Sequence, residues 1–137
     1  LEIRHFMSTE IIQLYPKTSI WMASVVFLEN KIDGVPVVDD DKLIGLFTKT
    51  HLIKAIKNKE SMDIPIDRYM TRDIEVLSPY DNILSINITS YGCYPVIENG
   101  ELVGIITRYD MLVALNYIID EISDQIYKVS TSVYITV

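Results

Sequence analysis

Cysteine is nearly absent. Cys93 is the one thiol among 137 residues, which excludes an internal disulfide and any thiolate metal cluster. Placed just ahead of an apolar stretch, it reads as a buried, unreactive group, and a reducing, cytoplasmic setting fits it. Histidine is scarce as well: His5 and His51 have no neighbours at metal-ligand spacing, so no metal site is expected. No serine sits in a nucleophile elbow, and no glycine loop leads to a phosphate-cradling lysine. The chain therefore reads as having no catalytic residues. Long apolar runs are missing too; none approaches the ~18–20 residues that cross a bilayer, so no membrane span is expected. Cations run short in one half only. Residues 1–60 balance 8 Lys/Arg against 8 Asp/Glu, whereas residues 61–137 hold 4 against 11 and carry the whole net charge of −7. An acidic chain without a basic stripe is a poor partner for nucleic acid, because nothing neutralises the phosphates.

What is present is an internal duplication. The stretch Val35-Pro36-Val37-Val38 followed by Leu43-Ile44-Gly45-Leu46-Phe47-Thr48 recurs 59 residues later as Tyr94-Pro95-Val96-Ile97 and Leu102-Val103-Gly104-Ile105-Ile106-Thr107. At that offset Pro36/Pro95, Val37/Val96, Gly45/Gly104, Thr48/Thr107 and Ala55/Ala114 are identical. Earlier matches, Met7/Met70, Ile11/Ile74, Leu14/Leu77 and Pro16/Pro79, lie at an offset of 63, so the second copy is four residues shorter between Pro79 and Pro95. A repeat of this size implies two similar halves packed about a pseudo-twofold axis. With 49% hydrophobic and 23% charged residues the chain is of ordinary globular composition.

In order, residues 11–14 look extended, and Thr18 or Ser19 can cap a helix running to about Asn30. That helix is apolar on most sides, with Trp21, Val25 and Leu28 along one face, and is expected to be buried. Asp33-Gly34 leads into a hairpin turning at Asp39-Asp40-Asp41, and Thr48 opens a second helix whose lysines face water. In the second copy residues 81–91 are read, by analogy, as a short helix. Asn99-Gly100 between apolar runs suits a type I′ turn. The last helix shows Leu112, Leu115, Ile119, Ile122 and Ile126 at alternating steps of three and four. It either pairs with another helix or lies on its own domain. Residues 129–137 alternate like a strand. Residue 1 is Leu rather than Met, so the chain reads as a segment of a longer one. The expected division is 1–60 for the first repeat, 61–116 for the second, and 117–137 for a helical extension and the start of a downstream domain.

Chemistry concentrates where each hairpin ends and a helix begins: Thr48-Lys49-Thr50-His51 and Thr107-Arg108-Tyr109-Asp110. Thr107-x-x-Asp110 matches a capping box. Yet Lys49 and Arg108 both put a cation on a first helical turn, where the helix dipole disfavours it by ~0.3–1 kcal/mol. A cation beside helix-start amides makes a place for an anion such as phosphate. Asp110 can take the two hydroxyls of a ribose, and Tyr94, Pro95 and Ile74 can line an apolar slot for a base. Together these describe a nucleotide.

The order apolar-Pro-Val-Val-Asp, hairpin, apolar-Gly-apolar-apolar-Thr-x-x-Asp, twice in tandem over roughly residues 5–116, resembles the cystathionine-β-synthase (CBS) domain pair, or Bateman module. The resemblance implies an α+β fold of two β-α-β-β-α repeats packed sheet against sheet about a pseudo-twofold, assembled as a homodimer. It implies no obligatory cofactor, but a regulatory adenosine ligand (AMP, ADP, ATP, S-adenosylmethionine or similar) bound between the repeats, with occupancy passed to an attached effector domain. The ligand motif falls on Thr107 and Asp110, with Arg108 beside the phosphates, Tyr94 and Pro95 at the base, and Ser8, Thr9 and Ile11 as the opposite wall. The other cleft, with Thr48, Lys49, Thr71 and Ile74, is degenerate, because His51 stands where the ribose-binding aspartate belongs. One adenosine site per chain is expected. The alternative is a ligand-free dimerisation module in which Thr107 and Asp110 only cap a helix.

Overall fold

The computed structural model describes residues 1–88 and 91–129, the last four by backbone alone. Its strands form two antiparallel hairpins, β1 (Gly34–Asp39) with β2 (Lys42–Thr48) and β3 (Cys93–Glu98) with β4 (Glu101–Thr107). The helices are α1 (Ile20–Asn30), α2 (Lys49–Lys57) and α3 (Arg108–Val129). Residues 130–137, and with them nearly all of the strand expected over 129–137, lie outside the described residues.

The hairpins are copies in detail. Each slips register at the same place, between Val37 and Val38 and between Val96 and Ile97. Asn99 and Gly100 both have positive φ, as a type I′ turn requires. Asp40 and Asp41 take the same conformation without a glycine, at φ 50° and 62°. The strand expected near residues 11–14 shrinks to a single bridge, Leu14 to Val37, repeated by Leu77 to Val96. Each lies parallel to its hairpin, which preserves the order of the repeat.

Sequence repeats and spatial halves do not coincide at their starts. Ser8 exchanges two backbone hydrogen bonds with Ile105, each 2.9 Å, and Thr71 does the same with Leu46. The opening segment of each repeat therefore joins the hairpin of the other. Ile3 belongs to the core around Tyr94, Val96 and Ile106, and Ile66 to the core around Phe27, Val37 and Phe47. This crossing explains the duplicated glycines. A Cβ on Gly45 would stand 2.8 Å from the Thr71 carbonyl oxygen, and one on Gly104 would stand 2.5 Å from Met7 Sδ. Between the halves, Leu46, Cys93 and Ile105 form a shared cluster. Leu46 and Ile105 are duplicates of each other, as are Gly34 and Cys93, whose positions lie 3.4 Å apart by the same measure. The pseudo-twofold passes between these pairs.

Two expectations about helices are corrected. Ser19 caps α1 through Met22 N, but the buried side is Ile20, Ala23 and Phe27. Trp21 is 54% and Leu28 79% exposed, so the Trp21–Val25–Leu28 face points to water. Composition could not choose between two apolar sides of one helix; the hairpin beneath it did. The helix expected over 81–91 is instead a single 3-10 turn, Ile83–Ser85, with Asn82 accepting from Leu84 N; residues 89 and 90 of that span are not described. With four fewer residues and β-branched Ile86 and Ile88 following the turn, the segment is too short and too stiff for an α-helix.

Candidate functional site

Each hairpin ends in a threonine whose next three residues close a helix cap, and the two caps use different chemistry. At the start of α3, Asp110 Oδ2 accepts from Thr107 N and Thr107 Oγ1, both at 2.9 Å, while Thr107 Oγ1 accepts from Asp110 N at 3.3 Å. At the start of α2, His51 Nδ1 takes the carboxylate's place and accepts from Thr48 N at 3.0 Å, with His51 N donating to Thr48 Oγ1 at 3.4 Å. An imidazole that accepts at Nδ1 is neutral and carries its proton on Nε2. Burial lowers the pKa of His51, and the nearby Lys54 charge lowers it further. The one acceptor of His51 is thus consumed by its own helix.

The cations are held by the protein. Lys49 Nζ lies 2.9 Å from Asp33 Oδ1, and Lys49 N donates to Asp33 O at 3.0 Å. The expectation of an external anion at Lys49 is corrected: a carboxylate 16 residues upstream answers the unfavourable dipole. Asp33 has Gly92 as its duplicate in the second repeat. There the Arg108 guanidinium lies over the glycine, whose added Cβ would meet Arg108 Cζ at 2.7 Å. Arg108 is exposed and does not line the cavity beside Thr107.

That cavity, of about 230 Å³, is walled by Ser8, Glu10, Ile11 and Ile12, by Lys31 to Pro36, and by Ile105, Thr107 and Tyr109. Its counterpart, of about 180 Å³, is walled by Leu46, Asp73, Ile74, Glu75, Tyr91, Cys93 and Tyr94. Much of the lining is duplicated: Ile32, Gly34, Val35, Glu10, Ile11, Ile12 and Ile105 in one correspond to Tyr91, Cys93, Tyr94, Asp73, Ile74, Glu75 and Leu46 in the other. The base slot expected from Tyr94, Pro95 and Ile74 is therefore not beside Thr107. Tyr94 and Ile74 face the other cleft, and Pro95 is wholly buried in β3. Residues 31–36 occupy that wall instead, because the swapped opening segments pair each Thr-x-x-Asp/His motif with the opposite repeat's first strand. No signal short of that crossing could have found them. Ser8 and Ile11 share the cavity with Thr107, while Thr9, exposed, and Asp110, half-buried in the cap, lie outside the lining.

The clefts differ in access. Beside Thr48, the Tyr91 ring packs tilted against His51 at 5.5 Å, and His51 against Phe47 at 5.8 Å, so rings crowd the space next to the cap. Thr48 is 2% exposed, and Thr71 is engaged with Leu46. Beside Thr107 the corresponding position is Ile32, and Gly34 presents no side chain. Cys93 sits behind this wall, its Sγ 3.7 Å from Gly34 O. Its pKa is pushed up to about 12, first by burial and then by the charges of Asp33 and Asp110, which places both carboxylates near the pseudo-twofold. Among the described residues no group of three His, Cys, Asp or Glu side chains could hold a metal, and no helix is long and apolar enough to cross a membrane.

A duplicated unit with crossed opening strands, one cleft on each side of a pseudo-twofold and a Thr-led helix cap in each repeat defines a tandem-repeat module. The family model for the CBS domain matches residues 3–58 and again 66–117. The chain belongs to the CBS domain family, as a tandem pair. Among curated proteins it is 33% identical over 115 residues to protein MJ1225 of Methanocaldococcus jannaschii, covering 80% of this chain and 41% of that protein. It is 32% identical to the A-adding tRNA nucleotidyltransferase of Aquifex aeolicus, over 84% of this chain and 14% of the enzyme. The chain thus spans less than half the length of these relatives. Among solved structures, the CBS domain pair of protein MJ0100, in complex with 5′-methylthioadenosine and S-adenosyl-L-methionine, superposes with a TM-score of 0.75 at 23% identity. It covers 85% of this chain and 96% of that one. CBSX2 of Arabidopsis thaliana, in complex with AMP, gives 0.72 at 25% identity over 85% and 97%.

Proposed function

We propose that this chain is a regulatory sensor that binds one adenosine-containing ligand in the cleft walled by residues 8–12, residues 31–36 and Thr107. The observation that carries the reading is the inequality of two clefts descended from one duplication. One has Thr107, capped by the Asp110 carboxylate just behind the lining, and a bare backbone at Gly34; the other has a histidine committed to its own cap with the Tyr91 ring against it. The ribose hydroxyls meet Asp110 through Oδ1, the oxygen outside the capping bonds, and the base lies along Ile32 to Gly34, with Val35 and Pro36 buried behind. At about 230 Å³ the cleft is smaller than the ~300–1,000 Å³ of an enclosing pocket. It holds the nucleoside and leaves the remainder of the ligand in solvent. Glu10, Lys31 and Asp33 line the cleft, with Asp33 paired to Lys49, so the site offers little net positive charge and AMP, 5′-methylthioadenosine and S-adenosylmethionine rank ahead of ATP. Solved relatives that bind such ligands support the class.

Occupancy favours one arrangement of the halves in proportion to its different affinity for the two, and α3, which starts at the cap, carries the change to an effector domain of a cytoplasmic homodimer. Thermal shift against AMP, ATP, 5′-methylthioadenosine and S-adenosylmethionine tests the reading. At 100 times its dissociation constant a ligand adds ~2.7 kcal/mol, and titration calorimetry should give one ligand per chain. Asp110→Ala should remove the shift while His51→Ala leaves it. A shift lost on changing His51 and kept on changing Asp110 refutes the assignment. No shift with any of the four leaves the dimer-only reading, which the complete capping box at Thr107 would then explain by itself.

A further inference from the structure

The pseudo-twofold that pairs the clefts also pairs the tips of the hairpins, and there the two copies carry opposite charge. At the offset of 59, Lys42 answers Glu101, Leu43 answers Leu102 and Gly100 answers Asp41; at the offset of 63, Arg72 answers Thr9 and Val76 answers Gln13. Each set walls a hollow. The one around Gln13, Asp41 and Glu101 measures about 320 Å³ and holds two carboxylates and no cation. The one around Lys42 and Arg72 measures about 470 Å³, and every other side chain lining it is aliphatic. Both halves build this basic hollow. Thr71 exchanges two backbone hydrogen bonds with Leu46 of the first hairpin, and Leu77 is bonded to Pro95 and Ile97 of the second. The chain between them, carrying Arg72, Ile74 and Val76, is drawn from one hairpin to the other and forms one wall; Leu43 and Ile44 of β2 and Ile97 of β3 complete it. Asp73 and Glu75 line the Tyr91 cleft on the other side of that segment. Among the described residues, neither Lys42 nor Arg72 has a side-chain hydrogen bond or an ion-pair partner.

We propose that this hollow binds a small organic carboxylate with an apolar body, at a site separate from the adenosine cleft. The Arg72 guanidinium takes the carboxylate through its planar fork, and Lys42 adds a second positive charge. The apolar body covers Ile44, Ile74, Val76 and Ile97. Val76 is 51% exposed, so covering it removes apolar surface from water. No hydroxyl, amide or carboxylate side chain lines the hollow. A sugar placed there gives up water for no side-chain partner, which makes a nucleotide the wrong ligand. The volume lies within the ~300–1,000 Å³ of small-molecule pockets, and the duplicate hollow, with Asp41 and Glu101 in place of Gly100 and Lys42, repels the same anion. Because walls come from both hairpins, an occupant ties the two halves together.

Octanoate is the probe, with acetate (head without body) and octanol (body without head) as controls. Calorimetric titration of the full chain should give one octanoate per chain, bound about tenfold or more tightly than either control. Lys42→Glu combined with Arg72→Thr gives the hollow the residues its duplicate already carries, so the fold is expected to tolerate them. Octanoate affinity should then fall about tenfold or more. Lys57→Glu, an exposed charge reversal on α2, should leave it unchanged; an equal loss there means that net charge alone is being read and overturns the proposal. In amide spectra octanoate should shift Arg72, Ile74 and Gly100, and shifts confined to Gly34 and Thr107 place it in the adenosine cleft and overturn the assignment. Binding that survives the double substitution, octanol binding as tight as octanoate, or no binding at millimolar concentration does the same. Co-sedimentation with phosphatidylglycerol vesicles, lost in the double variant, gives the two cations to a lipid headgroup instead and also overturns it. The thermal shift with S-adenosylmethionine should be equal in the double variant and the unaltered chain, so failure of either reading is visible by itself.

Discussion

Gly45→Ala and Gly104→Ala are the same substitution at duplicate positions, and the crossed opening segments make their consequences unequal. Neither glycine has a positive φ, so the backbone accepts alanine, and the entropy lost by glycine on folding favours the change by roughly 0.5–1 kcal/mol. What opposes it is contact. At position 45 the new methyl meets a backbone oxygen, that of Thr71, at 2.8 Å. The same carbonyl accepts from Leu46 N at 2.9 Å, and Thr71 N donates back to Leu46 O at 3.0 Å. Making room moves a segment held by both bonds. Weakening them and straining the pair costs about 2–4 kcal/mol, for a net loss of roughly 1–3 kcal/mol, or about 3–15 °C in melting temperature at this length. At position 104 the closest obstacles are Sδ and Cγ of Met7 at 2.5 and 2.9 Å, atoms that a rotamer change can move, and Cβ at 3.2 Å, which needs only a few tenths of an ångström. Gly104→Ala should cost at most about 1 kcal/mol, and Met7→Ala in that background should relieve it in part. No side-chain change at Thr71 can rescue Gly45→Ala. Melting by calorimetry of the three variants decides the matter. A neutral Gly45→Ala, or a larger loss at Gly104, would refute the argument that the opening segments are exchanged between the halves.

Protonating His51 removes the acceptor that caps α2. Its lowered pKa means the unfolded chain takes up a proton near pH 6.5 that the folded chain refuses. The stability it contributes is present above that pH and is lost as pH falls toward the folded value. His51→Asp restores a carboxylate cap; the difference in melting temperature between wild type and variant should grow against wild type between pH 7.5 and 5.5, and a constant difference would count against the neutral cap. Cys93, pushed up to about 12, is roughly one part in 10⁴ thiolate at pH 8. A thiol reagent should label it only after denaturant is added, and labelling of the native protein within seconds would show the shared cluster to be open. Asp41→Gly relieves a left-handed aspartate in the first turn and should stabilise by about 0.5–1 kcal/mol, raising the denaturant midpoint without changing the slope. A lowered midpoint would mean that the side chain is held in place by a contact.

The residues themselves determined the architecture, because duplication is legible without coordinates. Pro36/Pro95, Gly45/Gly104 and Thr48/Thr107 recur at one offset, and alternation of apolar residues around Asn99-Gly100 allows little but a hairpin. The Thr-x-x-Asp spacing likewise identified the α3 cap, since three residues is the reach of one helical turn. What only the tertiary structure decided is which pieces meet. The exchange of opening segments is a long-range pairing with no local signature, and it placed residues 31–36 rather than Tyr94 and Pro95 beside Thr107. The register of the first hairpin, which pairs Gly34 with Thr48, set Asp33 beside Lys49 and gave that cation a partner local dipole reasoning had not included. Local rules govern turns, caps and periodicity because those energies act over a few residues. The outward face of Trp21 and Leu28, the ring of Tyr91 on His51 and the openness of one cleft depend on contacts between segments tens of residues apart, which no neighbouring pattern encodes.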